Sequence, residues 1–237
     1  MSVLIMVRHG QASFHSKDYD QLSPLGIEQS RLLGIHWTEN NLTIDRIFVG
    51  PRRRHQQTLD AVGSVYRERG LAWPDPVELA ELDEHSGQHV LTRCLPGLIQ
   101  HHPSIRELVS KIQKGVDVEQ RDYLKLFQKV TRMWVRGELS APELEAWHEF
   151  RTRVNGGLGK VTSHEKRNQT VVAFTSGGPI AAAVGRALGI DDEKTLELSW
   201  IVRNTACAEF LFSGGRFSLA AFNTVPHLAE RRLFTYV

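Results

Sequence analysis

The chain opens on an unbroken apolar run, Ser2-Val-Leu-Ile-Met-Val7, followed at once by Arg8-His9-Gly10. A short apolar stretch closed by a turn signal predicts a buried β-strand, so the chain begins inside a sheet. Ser23-Pro24 then sets a capping hydroxyl before a proline at the first helical position. Leu25, Gln29, Leu32, Leu33 and Ile35 continue that helix at roughly helical spacing to Asn40-Asn41. The unit recurs. Arg46-Ile-Phe-Val-Gly50 predicts a second strand, and Pro51 opens a second helix through about Arg69 with Leu59, Val62 and Tyr66 on one stripe. A third unit comes late: Thr170 to Thr175 is a β-branched apolar run, Ser176-Gly-Gly-Pro179 a turn, and Ile180 to Leu188 a small-residue helix ended by Gly189.

From about Leu95 to Lys160 the texture changes. Strand-like alternation is missing, and Leu108, Ile112, Leu124, Phe127, Val130, Trp134 and Val135 recur at helical spacing, punctuated by Pro142 and Gly156-Gly157. We read this as a helical insertion at about 95–160 within a single domain spanning 1–237. Thr195 to Phe222 alternates apolar and polar residues about Arg203-Asn204 and Ser213-Gly-Gly-Arg216, as two or three strands with a hairpin would. Strands alternating with helices indicate an α/β fold with a mostly parallel sheet. Ligands of such folds bind beyond the C-terminal ends of the strands, which here carry Arg8-His9, Gly50 to Arg54, and Ser176-Gly177.

Composition narrows the picture only by exclusion. The 237 residues are 41% hydrophobic and 24% charged, the profile of a globular chain able to bury one sizeable core. The apolar runs fall far short of the roughly 20 residues a bilayer demands, and the N-terminal run lacks the basic start of a signal peptide. A net charge of +2 gives no reason to expect nucleic acid or an anionic membrane as partner. Two cysteines, Cys94 and Cys207, cannot build a disulfide framework or a four-thiolate zinc site, so a reducing, cytoplasmic setting is expected.

Chemistry is carried locally. An arginine beside a histidine at a strand end can hold an oxyanion bidentately while an imidazole nitrogen faces its central atom, and Gly10 allows close backbone approach. Three ordered blocks give this context: Val7-Arg8-His9-Gly10-Gln11-Ala-Ser-Phe14, Leu22-Ser-Pro-Leu-Gly26 with Gln29, and Gly50-Pro-Arg-Arg-Arg54-His-Gln-Gln57-Thr58. Together they resemble the histidine phosphatase superfamily, which includes the cofactor-dependent phosphoglycerate mutases. The resemblance runs essentially end to end, the helical insertion excepted. It implies a three-layer α/β/α sandwich and a site for phosphoryl transfer or phosphate-ester hydrolysis.

Carried over position by position, His9 matches the nucleophile that becomes a phosphohistidine, and Arg8 the first phosphate-binding arginine. The Arg-x-x-Gln-Thr pattern selects Arg54 as the second, while Arg52 and Arg53 read as a solvated basic turn. Two planar guanidinium forks suit the equatorial oxygens of a phosphoryl group better than two lysines would. A Leu-x-Glu segment marks Glu84 as the acid that protonates the leaving group, with Glu81 and Asp83 close by.

Two positions depart from the family pattern. Where a histidine normally precedes two glycines, this chain reads Phe174-Thr175-Ser176-Gly177-Gly178. Serine donates a hydrogen bond but adds no positive charge, so transition-state stabilisation is expected to be weaker. The segment is not the nucleophile elbow of a serine hydrolase, which needs glycine where Phe174 stands. His15 replaces a phosphate-contacting asparagine; it either reaches the same anion or belongs to a surface loop. Asn204 matches a polar position of the family's C-terminal half, or is a turn asparagine. His101-His102 and His227 show no ligand pattern, and neither a catalytic metal nor a cofactor is expected.

The resulting expectation is a metal-independent phosphatase acting on a phosphorylated small molecule or a phosphoprotein. Its alternative is a catalytically weak or inactive phosphate-binding protein of the same fold, motivated by Ser176. Mutase activity is less expected, because the mutase block continues with Trp-Asn where Phe14-His15 stands. Trp134 and Trp147 among basic residues suggest a third class, an interaction module, against the plainer reading of helical core. Lys125, Lys129, Arg132 and Arg136 either line the mouth of the site or solvate a helix face.

Overall fold

A computed structural model describes residues 1–13, 20–114, 120–141, 143–163 and 167–236. His15 and Pro142 lie outside the described residues. The chain divides into two compact units, one formed by Met1–Glu84 with Arg153–Val237 and the other by His85–Thr152.

The first unit is built on the predicted strand-helix repeats. β1 (Ser2–Arg8) leads to α1 (Pro24–Glu39), whose first turn is capped by Ser23 Oγ accepting from the Gly26 N–H at 3.1 Å. β2 (Arg46–Val49) leads to α2 (Arg53–Glu68), and a short β3 (Pro76–Glu78) follows. After the second unit, β4 (Thr170–Thr175) leads to α7 (Gly177–Leu188), which ends at Gly189 in the left-handed conformation, φ 66°. α8 (Asp192–Ile201), β5 (Cys207–Ser213) and β6 (Arg216–Thr224) complete it. The strands form one sheet in the order β3-β2-β4-β1-β5-β6. β3, β2, β4 and β1 run parallel, and the β5-β6 hairpin joins antiparallel at the β1 edge.

Side-chain alternation on these strands sorts the core. Ile5, Val7, Ile47, Val49, Val172 and Phe174 face α1 and α2, where Leu33, Trp37, Leu59, Val62 and Tyr66 complete a buried cluster. Their neighbours Leu4, Met6, Phe48, Val171 and Ala173 are buried on the opposite face, where α7 packs against β1 and β6. The expected α/β architecture with a mostly parallel sheet is therefore present.

Three local expectations change. α2 begins at Arg53 and not at Pro51, because the carboxylate of Asp20 accepts from the Arg53 N–H at 3.0 Å and caps the helix from a distant loop. Gly177 to Pro179 form the first turn of α7 instead of a free turn. Thr195 to Ile201 is the end of α8 rather than a strand; its cap, Asp191 accepting from the Lys194 N–H at 2.8 Å, overrides the alternation.

The second unit holds α3 (Gly87–His101), α4 (Pro103–Lys114) and α5 (Gln120–Val135); α6 (Trp147–Thr162) begins in it and continues, from Arg153 on, in the first unit. Trp134 and Trp147 are only 2% and 3% exposed, with ring centroids 5.3 Å apart, and the Trp134 Nε1–H donates to the Glu145 carbonyl. These tryptophans are core, which removes the observation behind the interaction-module reading. Lys125, Lys129, Arg132 and Arg136 line an open hollow of about 540 Å³ on this unit. No helix among the described residues is long and apolar enough to cross a membrane.

Candidate active site

Parallel register brings the strand ends level. Arg8 pairs with Thr175 and Val49 with Phe174, so His9, Gly50 and Ser176 leave the sheet side by side. The His9 N–H donates to the Thr175 carbonyl and the Gly50 N–H to the Phe174 carbonyl, each at 2.9 Å.

His9 is 4% exposed, and its Nδ1 lies 2.7 Å from the Gly10 carbonyl oxygen. A carbonyl only accepts, so Nδ1 carries the proton and Nε2 of the neutral ring keeps its lone pair. Burial, then the charges of Arg54 and Arg8 and the neighbouring His55, hold His9 well below the ordinary histidine pKa. The backbone around it is braced from three elements. Thr58 Oγ1 on α2 accepts from the Gly10 N–H at 3.0 Å, and Asn204 Nδ2 donates to the His9 carbonyl at 3.1 Å. Gly10 packs so closely on α1 that a Cβ there would sit 2.4 Å from the Gly26 carbonyl oxygen. Gln29 reaches across from α1, accepting from the Gln11 N–H and donating to the Leu233 carbonyl.

Arg8 Nη1 donates to the carbonyls of Val202 and Tyr236, which fixes the guanidinium beside the start of α7. Arg54 is 6% exposed; its Nη1 pairs with Asp20 at 2.7 Å and its Nη2 lies 3.4 Å from Ser176 Oγ. Ser176 is fully buried at the N-cap of α7 and bonds His55 Nε2 at 2.6 Å.

The three neighbouring acids separate cleanly. Thr175 Oγ1 donates to the Leu82 carbonyl and Arg153 Nη1 to those of Glu81 and Asp83, pinning the turn against β4. From that turn Glu84 Oε2 accepts from the Gly178 N–H at 3.3 Å, at the head of α7. Asp83 is paired with Arg52 at 2.5 Å. Glu81 is bonded to Lys160, which holds its carboxyl below the ordinary range. Among the described residues no three His, Cys, Asp or Glu side chains gather as a metal-holding group.

His9, Arg8, Arg54, Ser176 and Glu84 thus share one end of the sheet; His15 lies outside the described residues. Sequence reasoning missed Asp20, the partner of Arg54, and His55, the partner of Ser176; the only local signal for His55 was its place beside Arg54. Asn204 does sit in a turn, and its side chain, 1% exposed, also holds the His9 backbone.

The arrangement can present an imidazole lone pair to a group held by two arginines, a helix N-terminus and a nearby carboxyl. The family model described as histidine phosphatase superfamily (branch 1) matches residues 97–225, more than half of the chain. The chain belongs to the histidine phosphatase superfamily. Solved histidine phosphatase folds resemble it over nearly their whole length. Phosphoserine phosphatase from Entamoeba histolytica aligns with TM-score 0.60 at 16% identity, covering 96% of this chain and 100% of that one. Phosphoglycerate mutase from Bacillus anthracis aligns with TM-score 0.64 at 14% identity, covering 95% and 94%. A mycobacterial glucosyl-3-phosphoglycerate phosphatase gives 0.59 at 16%, covering 93% and 98%. Comparison with the curated proteins found no match.

Proposed function

We propose that this histidine phosphatase superfamily member is a metal-independent phosphatase that hydrolyses a phosphate monoester through a phosphohistidine on His9. The observation that carries this reading is the state of His9: buried, proton committed to the Gly10 carbonyl on Nδ1, and kept neutral beside Arg54 and Arg8. In the first step Nε2 forms a bond to phosphorus as the P–O bond to the leaving group breaks, and Glu84 gives that oxygen a proton. Arg8, Arg54, the hydroxyl of Ser176 and the amides opening α7 face the equatorial oxygens. Water then attacks phosphorus, Glu84 takes its proton, and phosphate leaves with Nε2 restored.

Two guanidiniums supply the positive charge that a phosphoryl group in flight requires. We read the chain as one domain with the helical segment as an insertion. Suitable substrates are phosphorylated small molecules or phosphoproteins. A panel of sugar phosphates, nucleotides, phosphoserine and an aryl phosphate, assayed with His9→Ala as control, tests the proposal: turnover must be present and must vanish with His9.

A second reading, a weak or inactive phosphate-binding protein, is favoured by the serine at position 176. It expects inorganic phosphate or vanadate to bind while no member of the panel turns over. Interconversion of phosphoglycerates, measured with and without the bisphosphate, tests the mutase alternative.

A further inference from the structure

Two consecutive peptide groups set the imidazole of His9. The first, between His9 and Gly10, is gripped at both ends: its carbonyl accepts from Asn204 Nδ2 at 3.1 Å and its N–H donates to Thr58 Oγ1 at 3.0 Å. The second, between Gly10 and Gln11, offers the carbonyl that accepts from His9 Nδ1–H at 2.7 Å, and its N–H donates to Gln29 Oε1 at 2.9 Å. The tilt of that second peptide therefore sets the tautomer and direction of the ring, and with them where Nε2 points. Asn204 and Gln29 are 1% and 0% exposed and lie far apart in the chain, yet one side chain reaches both. Thr235 Oγ1 lies 2.8 Å from Gln29 Nε2 and 2.9 Å from Asn204 Oδ1.

Backbone groups at either end fix every direction in this chain of bonds. The Gln11 N–H can only donate, so Gln29 presents Oε1 to it and turns Nε2 toward the Leu233 carbonyl, 2.8 Å away, and toward Thr235 Oγ1. The His9 carbonyl can only accept, so Asn204 presents Nδ2 to it and keeps Oδ1 as an acceptor. The Thr235 hydroxyl must then accept from Gln29 and donate its one proton to Asn204. The threonine is also held independently of that hydroxyl. Its carbonyl accepts from the Asn204 N–H at 2.9 Å, the Leu233 carbonyl from Gln29, and the Tyr236 carbonyl from Arg8 Nη1. Removing the hydroxyl alone therefore leaves the segment seated but Asn204 Oδ1 buried without this donor. The amide then turns to satisfy itself and releases the His9–Gly10 peptide.

We infer that Thr235 is a positioning residue for phosphoryl transfer: its hydroxyl joins Gln29 to Asn204 and so locks the two peptides that aim His9 Nε2. The same segment holds the Arg8 guanidinium through the Tyr236 carbonyl, which brings His9 and Arg8 under one stretch of chain. This rests on the phosphatase reading, and the test keeps the two apart.

Aryl-phosphate turnover is measured for wild type, Thr235→Val, Thr235→Ser and Thr235→Ala, with folding checked by circular dichroism. Thr235→Val keeps the volume without the hydroxyl and should lose about tenfold or more in kcat, with KM within about threefold because the groups on the anion stay in place. Thr235→Ser keeps the hydroxyl and should stay within about threefold of wild type in kcat. Wild-type kcat in a folded Thr235→Val protein overturns the inference. So does a loss in Thr235→Ser as large as that in Thr235→Val, or a loss confined to KM. If Thr235→Val does not fold, Thr235→Ala is read by the same limits. If wild type itself turns over nothing, the phosphatase reading fails, and the ring-nitrogen shifts of His9 in ¹⁵N-histidine-labelled protein take over, assigned by their absence in His9→Ala. Loss of the Nδ1–H tautomer in Thr235→Val, with its retention in Thr235→Ser, supports the inference; a His9 signal unchanged in Thr235→Val overturns it.

Discussion

Glu84→Gln separates the chemical role of this carboxyl from its structural one. In the fold Glu84 Oε2 accepts from the Gly178 N–H at 3.3 Å, a long bond at a partly buried position. Glutamine keeps a carbonyl oxygen for that bond, so the structural loss is at most about 1 kcal/mol, or about 2–4 °C in Tm for a chain of this size. Loss of a general acid costs about 10² to 10⁴ in rate, equivalent to roughly 3–5 kcal/mol at 1.36 kcal/mol per tenfold. A bond worth about 1 kcal/mol cannot produce that drop. The deficit should also depend on the leaving group: severe for an alkyl phosphate, which needs a proton, and much smaller for p-nitrophenyl phosphate, which leaves as a stable anion. Glu81→Gln and Asp83→Asn, whose carboxylates are committed to Lys160 and Arg52, should leave both substrates within about threefold of wild type. The reasoning is refuted if Glu84→Gln matches wild type on alkyl phosphates, or if Glu81→Gln shows the leaving-group dependence instead.

Other perturbations test the frame around this centre. Arg54→Lys keeps a charge but loses the fork shared between Asp20 and Ser176, so vanadate affinity by calorimetry should fall about tenfold or more; unchanged affinity would place the anion elsewhere. Burial holds His9 and His55 neutral and lowers His227 to about 3, so the unfolded chain binds more protons below its own histidine pKa of 6.5. Stability should therefore be complete above about pH 7 and fall as the pH drops toward 5; His227→Gln should flatten that fall by roughly 2 kcal/mol in urea titrations, and an unaltered slope would count against this assignment. Gly10→Ala drives a Cβ to 2.4 Å from the Gly26 carbonyl and should destabilise by about 1–3 kcal/mol, read as a lowered urea midpoint.

Much of this was legible in the sequence where the causes are local. Ser23-Pro24 announced α1 because both the cap and the fixed φ lie in two adjacent residues. The β-branched run Thr170–Thr175 announced β4 because it is buried on both faces. Legibility failed where a remote group finishes an element. α2 and α7 each receive a carboxylate from a distant turn, Asp20 on the Arg53 N–H and Glu84 on the Gly178 N–H, and no local pattern shows either. The choice among Glu81, Asp83 and Glu84 was open for the same reason, since Arg153 and Lys160, far along the chain, settle where those side chains point. His9, Arg8 and Arg54 were readable from the arginine-histidine and Arg-x-x-Gln-Thr patterns; His55 was not, because its meaning depends on Ser176, 121 residues away.

The central claim is a covalent phosphoryl group on His9. Rapid acid-free quenching of enzyme mixed with a ³²P-labelled aryl phosphate, followed by peptide mapping, measures it directly. The account predicts an acid-labile, base-stable label on the peptide bearing His9, formed within one turnover, absent in His9→Ala and prolonged in Glu84→Gln. Turnover without any labelled histidine, or with label retained in His9→Ala, would contradict it.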